Sequence, residues 1–181
     1  MHLQFFINCG RKFLLGSLLA FALPMMLLAQ AVPAPNEAMS FALMDDSRPW
    51  QEAYTNGTKD GCIMEFVIKG DNVEQWKELV AQQIIFTNMP LKDYIVAWKA
   101  AMKKSDPNIE MKQEVSTATS ALITYKSLAA SEQGVRRFIQ GTDGIYSLAY
   151  TVRPNLAKPA TLALWKKIAL GATLVPNPEK R

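Results

Sequence analysis

Histidine and cysteine are almost missing from this chain. Among 181 residues there is one histidine, His2, and two cysteines, Cys9 and Cys62. Two of these three lie in a segment that reads as removable. Residues 1–12 carry Arg11 and Lys12 and no acid, Phe13 to Leu28 (FLLGSLLAFALPMMLL) is uncharged and apolar, and Ala29-Gln30-Ala31 is a small-residue exit. A basic start, an apolar middle and an A-x-A exit make a secretory signal peptide over residues 1–31. The apolar run is short for a membrane span and is broken by Pro24. No cysteine follows the cleavage point to accept a lipid, and no later stretch is apolar enough to span. Stable membrane insertion after cleavage is therefore not expected, and the exported chain is expected in the periplasm or outside the cell.

What the remaining chain lacks limits its chemistry. Without histidine it has no imidazole base for a Ser-His-Asp or Cys-His nucleophile. With one cysteine and no histidine it lacks the usual zinc ligands. It shows no glycine-rich phosphate loop, no Ser-x-x-Lys pattern and no calcium loop. No cofactor and no metal is expected. Cys62 has no intramolecular partner in the cleaved chain, opens an apolar stretch, and reads as a small buried hydrophobe, with a reactive or intermolecular thiol as the alternative. Charge is also scarce. The peptide takes two of the 20 basic residues and none of the 16 acids, leaving a net charge of +2. That balance gives nucleic acid no electrostatic footing.

What is present reads as one α+β domain. Residues 32–40 (VPAPNEAMS) read as a flexible leader, and 41–181 as the domain. Trp50 to Tyr54 and Cys62 to Ile68 form two strands around a turn-rich Asn56 to Gly61. Asn56-Gly57-Thr58 also matches a glycosylation sequon and is read as part of that turn. Asp71 or Asn72 is placed to cap a helix carrying Val73, Trp76, Leu79, Val80 and Ile84. Pro90 starts a second helix with Leu91, Tyr94, Ile95, Trp98 and Met102 on one face, stopped by Asp106-Pro107. The tryptophans on these stripes read as core. Period-two alternation follows in Ile109–Val115, Ala121–Leu128, Val135–Gln140 and Ile145–Arg153. Thr161–Leu170 closes the chain as a helix turning Leu164, Trp165 and Ile168 inward. The expected order is ββααββββα, an antiparallel sheet of about six strands flanked by helices.

This order, the early hairpin, and the last strand YSLAYTVRP (Tyr146 to Pro154) running through proline into a helix with a tryptophan resemble the Mog1/PsbP-like α/β/α sandwiches. Segments such as NVEQWKELVAQQ (Asn72 to Gln83) are similar to exported bacterial members of that group. The resemblance implies a non-catalytic binding or assembly protein whose partner is another protein or a small ligand, and it carries over no functional residue.

The basic residues of the last strand pair are the candidate binding residues: Arg136, Arg137 and Arg153. Neighbours in a strand point to opposite faces, so Arg136 and Arg137 cannot serve one ligand together. A three-residue loop, Thr142-Asp143-Gly144 with Gly144 left-handed, sets Phe138 opposite Leu148 and Arg136 opposite Tyr150. A two- or four-residue loop sets Arg137 opposite Leu148, which buries an unpaired charge. The first register is therefore expected, with Arg137 on the other face and Arg136 at the rim of the aromatic one. The carboxylates Asp45, Asp46, Glu65, Asp71 and Asp143 read as leader, sheet, cap and turn residues. The sequence thus reads as an exported non-enzymatic binding or assembly protein. A small carboxylate-dependent hydrolase and a secreted host-directed factor are the alternatives.

Overall fold

The computed structural model describes residues 34–180. The expected signal peptide, 1–31, lies outside the described residues. The main sheet has seven strands: β2 (Trp50–Thr58), β3 (Gly61–Ile68), β4 (Glu78–Phe86), β5 (Glu110–Ser116), β6 (Ser120–Ser127), β7 (Glu132–Gln140) and β8 (Gly144–Val152). Their spatial order is β2-β3-β4-β8-β7-β6-β5, and every neighbouring pair is antiparallel. Helix α1 (Leu91–Ser105) links β4 to the far edge strand β5, and α2 (Pro159–Gly171) follows β8. A separate two-stranded ribbon pairs β1 (Glu37–Ser40) with β9 (Thr173–Pro176). Among the described residues no helix is long and apolar enough to cross a membrane.

The α+β class, the antiparallel sheet, and the hairpin, helix and strand pattern from Pro90 onward follow the sequence. The element order does not. Residues 78–86, expected as the end of a helix, form β4. Asn72 does cap: its side-chain oxygen accepts bonds from the backbone N–H of Glu74 and Gln75. But that is a local turn, and no helix follows it. β4 is a central strand with apolar side chains on both faces, Val80 and Ile84 on one and Leu79 and Ala81 on the other. A strand filled on both sides loses the alternation that marks it, and Leu79, Val80 and Ile84 happen to fall at helical spacing. The leader is corrected as well. From Glu37 onward it is a strand, and Ala38, Met39 and Phe41 are buried.

The two helices lie on opposite faces, giving three layers. Leu91 and Ile95 of α1 pack with Ala121, Ile123, Phe138 and Ile145. Trp165, Ile168 and Ala169 of α2 pack with Val80, Ile84, Leu122, Val135, Leu148 and Tyr150 on the other side, where Met39 and Phe41 of the ribbon segment complete the core. All nine residues of β8 are buried. Its bulky face therefore does not mark a single core, which undoes the register expected for β7. The pairing found is Phe138 with Ser147, Arg137 with Leu148 and Arg136 with Ala149. The loop is the two residues Thr142 and Asp143, and the Gly141 N–H donates to the Gly144 carbonyl at 2.8 Å. Gly144 has the positive φ expected of it, 152°, and close approach demands glycine as well: a side chain there would run into the Ile85 carbonyl of β4. Phe138 then faces α1 instead of Leu148. Cys62 is buried as expected. It is disulfide-bonded, however, not a lone thiol.

Candidate functional site

The register sends the three candidate arginines to three places. Arg136 faces α1, with its guanidinium over the rings of Trp98 at 5.8 Å and Phe138 at 5.9 Å. Glu65 sits on the same face, where burial pushes its carboxyl up and Arg136 pulls it partly back. Arg153, just beyond β8, lies 4.1 Å over the Trp76 ring and donates to the carbonyls of Ala130 and Ser131. Arg137 faces α2, between Leu122 and Leu148 in neighbouring strands. Its Nε and Nη1 are buried and donate to nothing among the described residues. Burial pushes its pKa down. These residues do not form one site.

The α2 face does hold a cleft of about 500 Å³, within the few-hundred to thousand Å³ range of ligand sites. It lies where the first turns of α2 pass over β5, β6 and β7. Pro159, Leu162 and Ala163 form the helix wall, Val135 and Thr124 the floor, and Lys112, Lys126 and Lys166 the charged rim. Period-two spacing puts Val135 on this face with Arg137, one position further along β7. The carboxylate lining the cleft is Glu110, and beside the lining lies Glu114, at a bulge in β5 opposite β6. It holds Lys112 at 3.2 Å and Lys166 at 3.1 Å, and Lys166 foremost, with Lys112, keeps its carboxyl below the usual range. Lys126 makes no ion pair with a described carboxylate. Short-range sequence signals do not reveal the cleft, since its walls come from segments far apart in the chain.

A second constellation sits at the β4–β8 end of the same face, and Asp46, read as a leader residue, is its centre. Arg48 forks onto both Asp46 oxygens at 2.8 and 2.6 Å. The Trp165 indole donates to Asp46 at 2.8 Å. Arg48 also pairs with Glu78, and the Tyr150 hydroxyl donates to that same Glu78 oxygen. Burial alone would raise the Asp46 carboxyl, but the Arg48 fork and the Trp165 N–H carry it below the ordinary carboxylate value. Burial pushes the Tyr150 phenol up, and the Glu78 bond adds to that. Trp50, Tyr150 and Trp165 close ranks around the charges, with Tyr150 and Trp165 stacked at 4.9 Å.

These two carboxylates converge on a guanidinium, not on open space. Both are already bonded, and Asp46 is held below the ordinary carboxylate value, so neither is free to reach a substrate. The arrangement is that of a clamp joining the segment before β2 to β4, β8 and α2. Asp143 is likewise occupied: its carboxylate accepts from the Asn36 backbone at 2.6 Å and from Tyr146 at 3.2 Å. Among the described residues no group of three or more histidine, cysteine, aspartate or glutamate side chains could hold a metal ion. No protein-family model, no curated protein and no solved structure matches this chain.

Proposed function

We propose that this is an exported, non-enzymatic binding protein and that its site is the cleft between α2 and β5–β7. The observation that carries the reading is the cleft itself: an apolar helix wall and Val135 floor beneath a rim of three lysines and Glu110, two of the lysines shared with Glu114, suited to a partner that is part apolar and part polar. The occupied state of Asp46, Glu78 and Asp143 weighs toward binding over a carboxylate-dependent hydrolase. Export rests on the first 31 residues and places the protein in the periplasm or outside the cell. The three-layer arrangement is in keeping with a Mog1/PsbP-like binding or assembly module.

Native mass spectrometry of the protein purified gently from its producing cells tests this. A co-purifying mass is expected with the unaltered protein. Ala163→Trp, at an exposed helix position on the cleft wall, should fold normally and lose it. Retention of the same ligand by a folded Ala163→Trp protein would place binding elsewhere.

A further inference from the structure

We infer that the cleft takes one end of an extended peptide segment of a partner protein, rich in acidic and aliphatic residues, which joins the sheet as an added strand beside β5. This rests on the cleft being the binding site.

β5 is an edge strand, and among the described residues no backbone pairs with its outer side. Its free N–H and C=O groups are a template for one more strand. What singles this edge out is a hollow on each of its faces. On the α2 face the cleft runs past Glu110 and Lys112. On the α1 face a groove of about 430 Å³ runs past Gln113 and Ser116, walled by Leu91, Ile95 and the exposed Val96. Register assigns the faces. Lys112 pairs with Thr124, and Thr124 with Val135 of the α2 core. Gln113 pairs with Ile123 and Ser116 with Ala121, both of the α1 core. A strand added to β5 would send its side chains to the two faces in step with those of β5. Residues opposite Glu110 and Lys112 would enter the cleft, and those opposite Gln113 and Ser116 the groove. Backbone bonds then supply affinity and the two hollows specificity, as in other strand additions. The opposite edge strand, β2, borders a smaller cleft of about 240 Å³ that no lysine lines.

Charge sets the chemistry of the occupant. Lys112, Lys126 and Lys166 line the cleft and Lys92 and Lys99 the groove, against one lining carboxylate, Glu110. Glu114, beside the cleft, offsets Lys112 and Lys166. Lys92 and Lys126 are in no ion pair among the described residues. The excess is positive and the walls are apolar, so the complementary strand carries acids and aliphatic residues. A second copy of this chain would instead set two such groups of lysines against each other. Lys112 and the Glu114 bulge guard the edge against indiscriminate pairing, and an acidic strand is the kind that they admit.

The probe is a peptide selected by the unaltered protein from a phage-displayed random library of about ten residues, enough to span β5. The selected sequences should combine acids with aliphatic residues, and the synthetic peptide should bind about tenfold or more weakly at about 1 M salt than at about 0.1 M. N-methylating every second amide of the peptide is the decisive step. One alternate set faces β5 and should lose about tenfold or more in affinity, while the other set should be tolerated. Ala163→Trp in the cleft and Val96→Trp in the groove, both at exposed positions, should melt normally and each weaken the peptide about tenfold. Equal tolerance of both N-methylated sets would overturn the added strand, and selected peptides without acids would overturn the charge reading. Failure of any peptide to enrich, or binding unmoved by both tryptophans, would overturn the peptide as occupant, while the co-purifying mass of the Ala163→Trp comparison still decides the cleft. Sedimentation should show no dimer that the peptide splits; such a dimer would seat a second copy on β5 and overturn the proposal.

Discussion

Trp165 in the last helix donates its indole N–H to Asp46 at 2.8 Å, across 119 positions of sequence. The same carboxylate takes the Arg48 fork, so one side chain ties the segment before β2 to α2. Removing it should strand Arg48 and the indole together. Asp46→Ala is expected to cost about 2–3 kcal/mol, somewhat below the 3–5 of a fully buried pair because Arg48 keeps some contact with water. Urea unfolding of the two proteins measures this, and a difference under about 0.5 kcal/mol would show the clamp to be idle.

The same residue predicts a pH dependence. Its folded carboxyl titrates below the ordinary value, so the native state binds its proton less readily than the unfolded chain does. Its contribution is therefore complete above the unfolded value of about 3.9 and is lost as pH falls through the lower, folded value. Asp46→Asn should flatten that part of the acid limb in a series of melts between neutral pH and the acid transition. An unchanged slope would mean that other carboxylates set it.

The β7–β8 register can be read from energetic coupling. Phe138 shares the α1 core with Ile145, whereas Leu148 lies on the α2 side. Phe138→Ala should cost about 3–5 kcal/mol. In double-mutant cycles it should couple to Ile145→Ala by at least about 0.5 kcal/mol and add to Leu148→Ala without coupling. The reverse pattern would restore the other register.

Gly134 tests close packing in the sheet centre. A side chain there would meet the Tyr150 carbonyl. The vacancy also lets Tyr125, paired with Gly134 in the next strand, reach across to Thr151, hydroxyl to hydroxyl at 2.6 Å. Gly134→Ala should destabilise by about 1–3 kcal/mol, the usual cost of a forced backbone adjustment. A thermal melt within a degree of the unaltered protein would count against the contact.

The ribbon supplies a fifth check. Met39 is 1% exposed, so Met39→Ala should cost about 2–5 kcal/mol, as other core truncations do. The backbone amides of β1 should be protected in hydrogen exchange. Rapid exchange there, with little loss of stability, would return 37–40 to a leader.

The parts of this fold that were legible in the sequence are those whose signals are local. Pro90 and Asp106-Pro107 bracket α1, Trp165 and Ile168 mark the inner face of α2, and the turn around Lys59-Asp60 joins two alternating strands. β4 was hidden because it is apolar on both faces. The short strands β1 and β9 were hidden because each makes sense only beside the other, at opposite ends of the domain. The β7–β8 register turned on the assumption that a charge opposite Leu148 must be fully buried. At the edge of α2 it is only half-buried. The cleft and the Asp46 clamp are built from distant segments and leave no short-range trace.

The strand order has a kinetic consequence. β2-β3-β4 and β5-β6-β7-β8 are two meanders, joined internally by short turns except for the longer 69–77 link between β3 and β4, and only the β4–β8 pairing stitches one to the other within the sheet. That seam joins the strands most distant in sequence of any neighbours in the seven-stranded sheet. Each meander can begin to form from local contacts, while the seam must wait for a long loop to close. Folding should therefore be paced by the zipping of Glu78–Phe86 onto Gly144–Val152, and mutations along that line should slow refolding more than equally costly mutations in the outer hairpins.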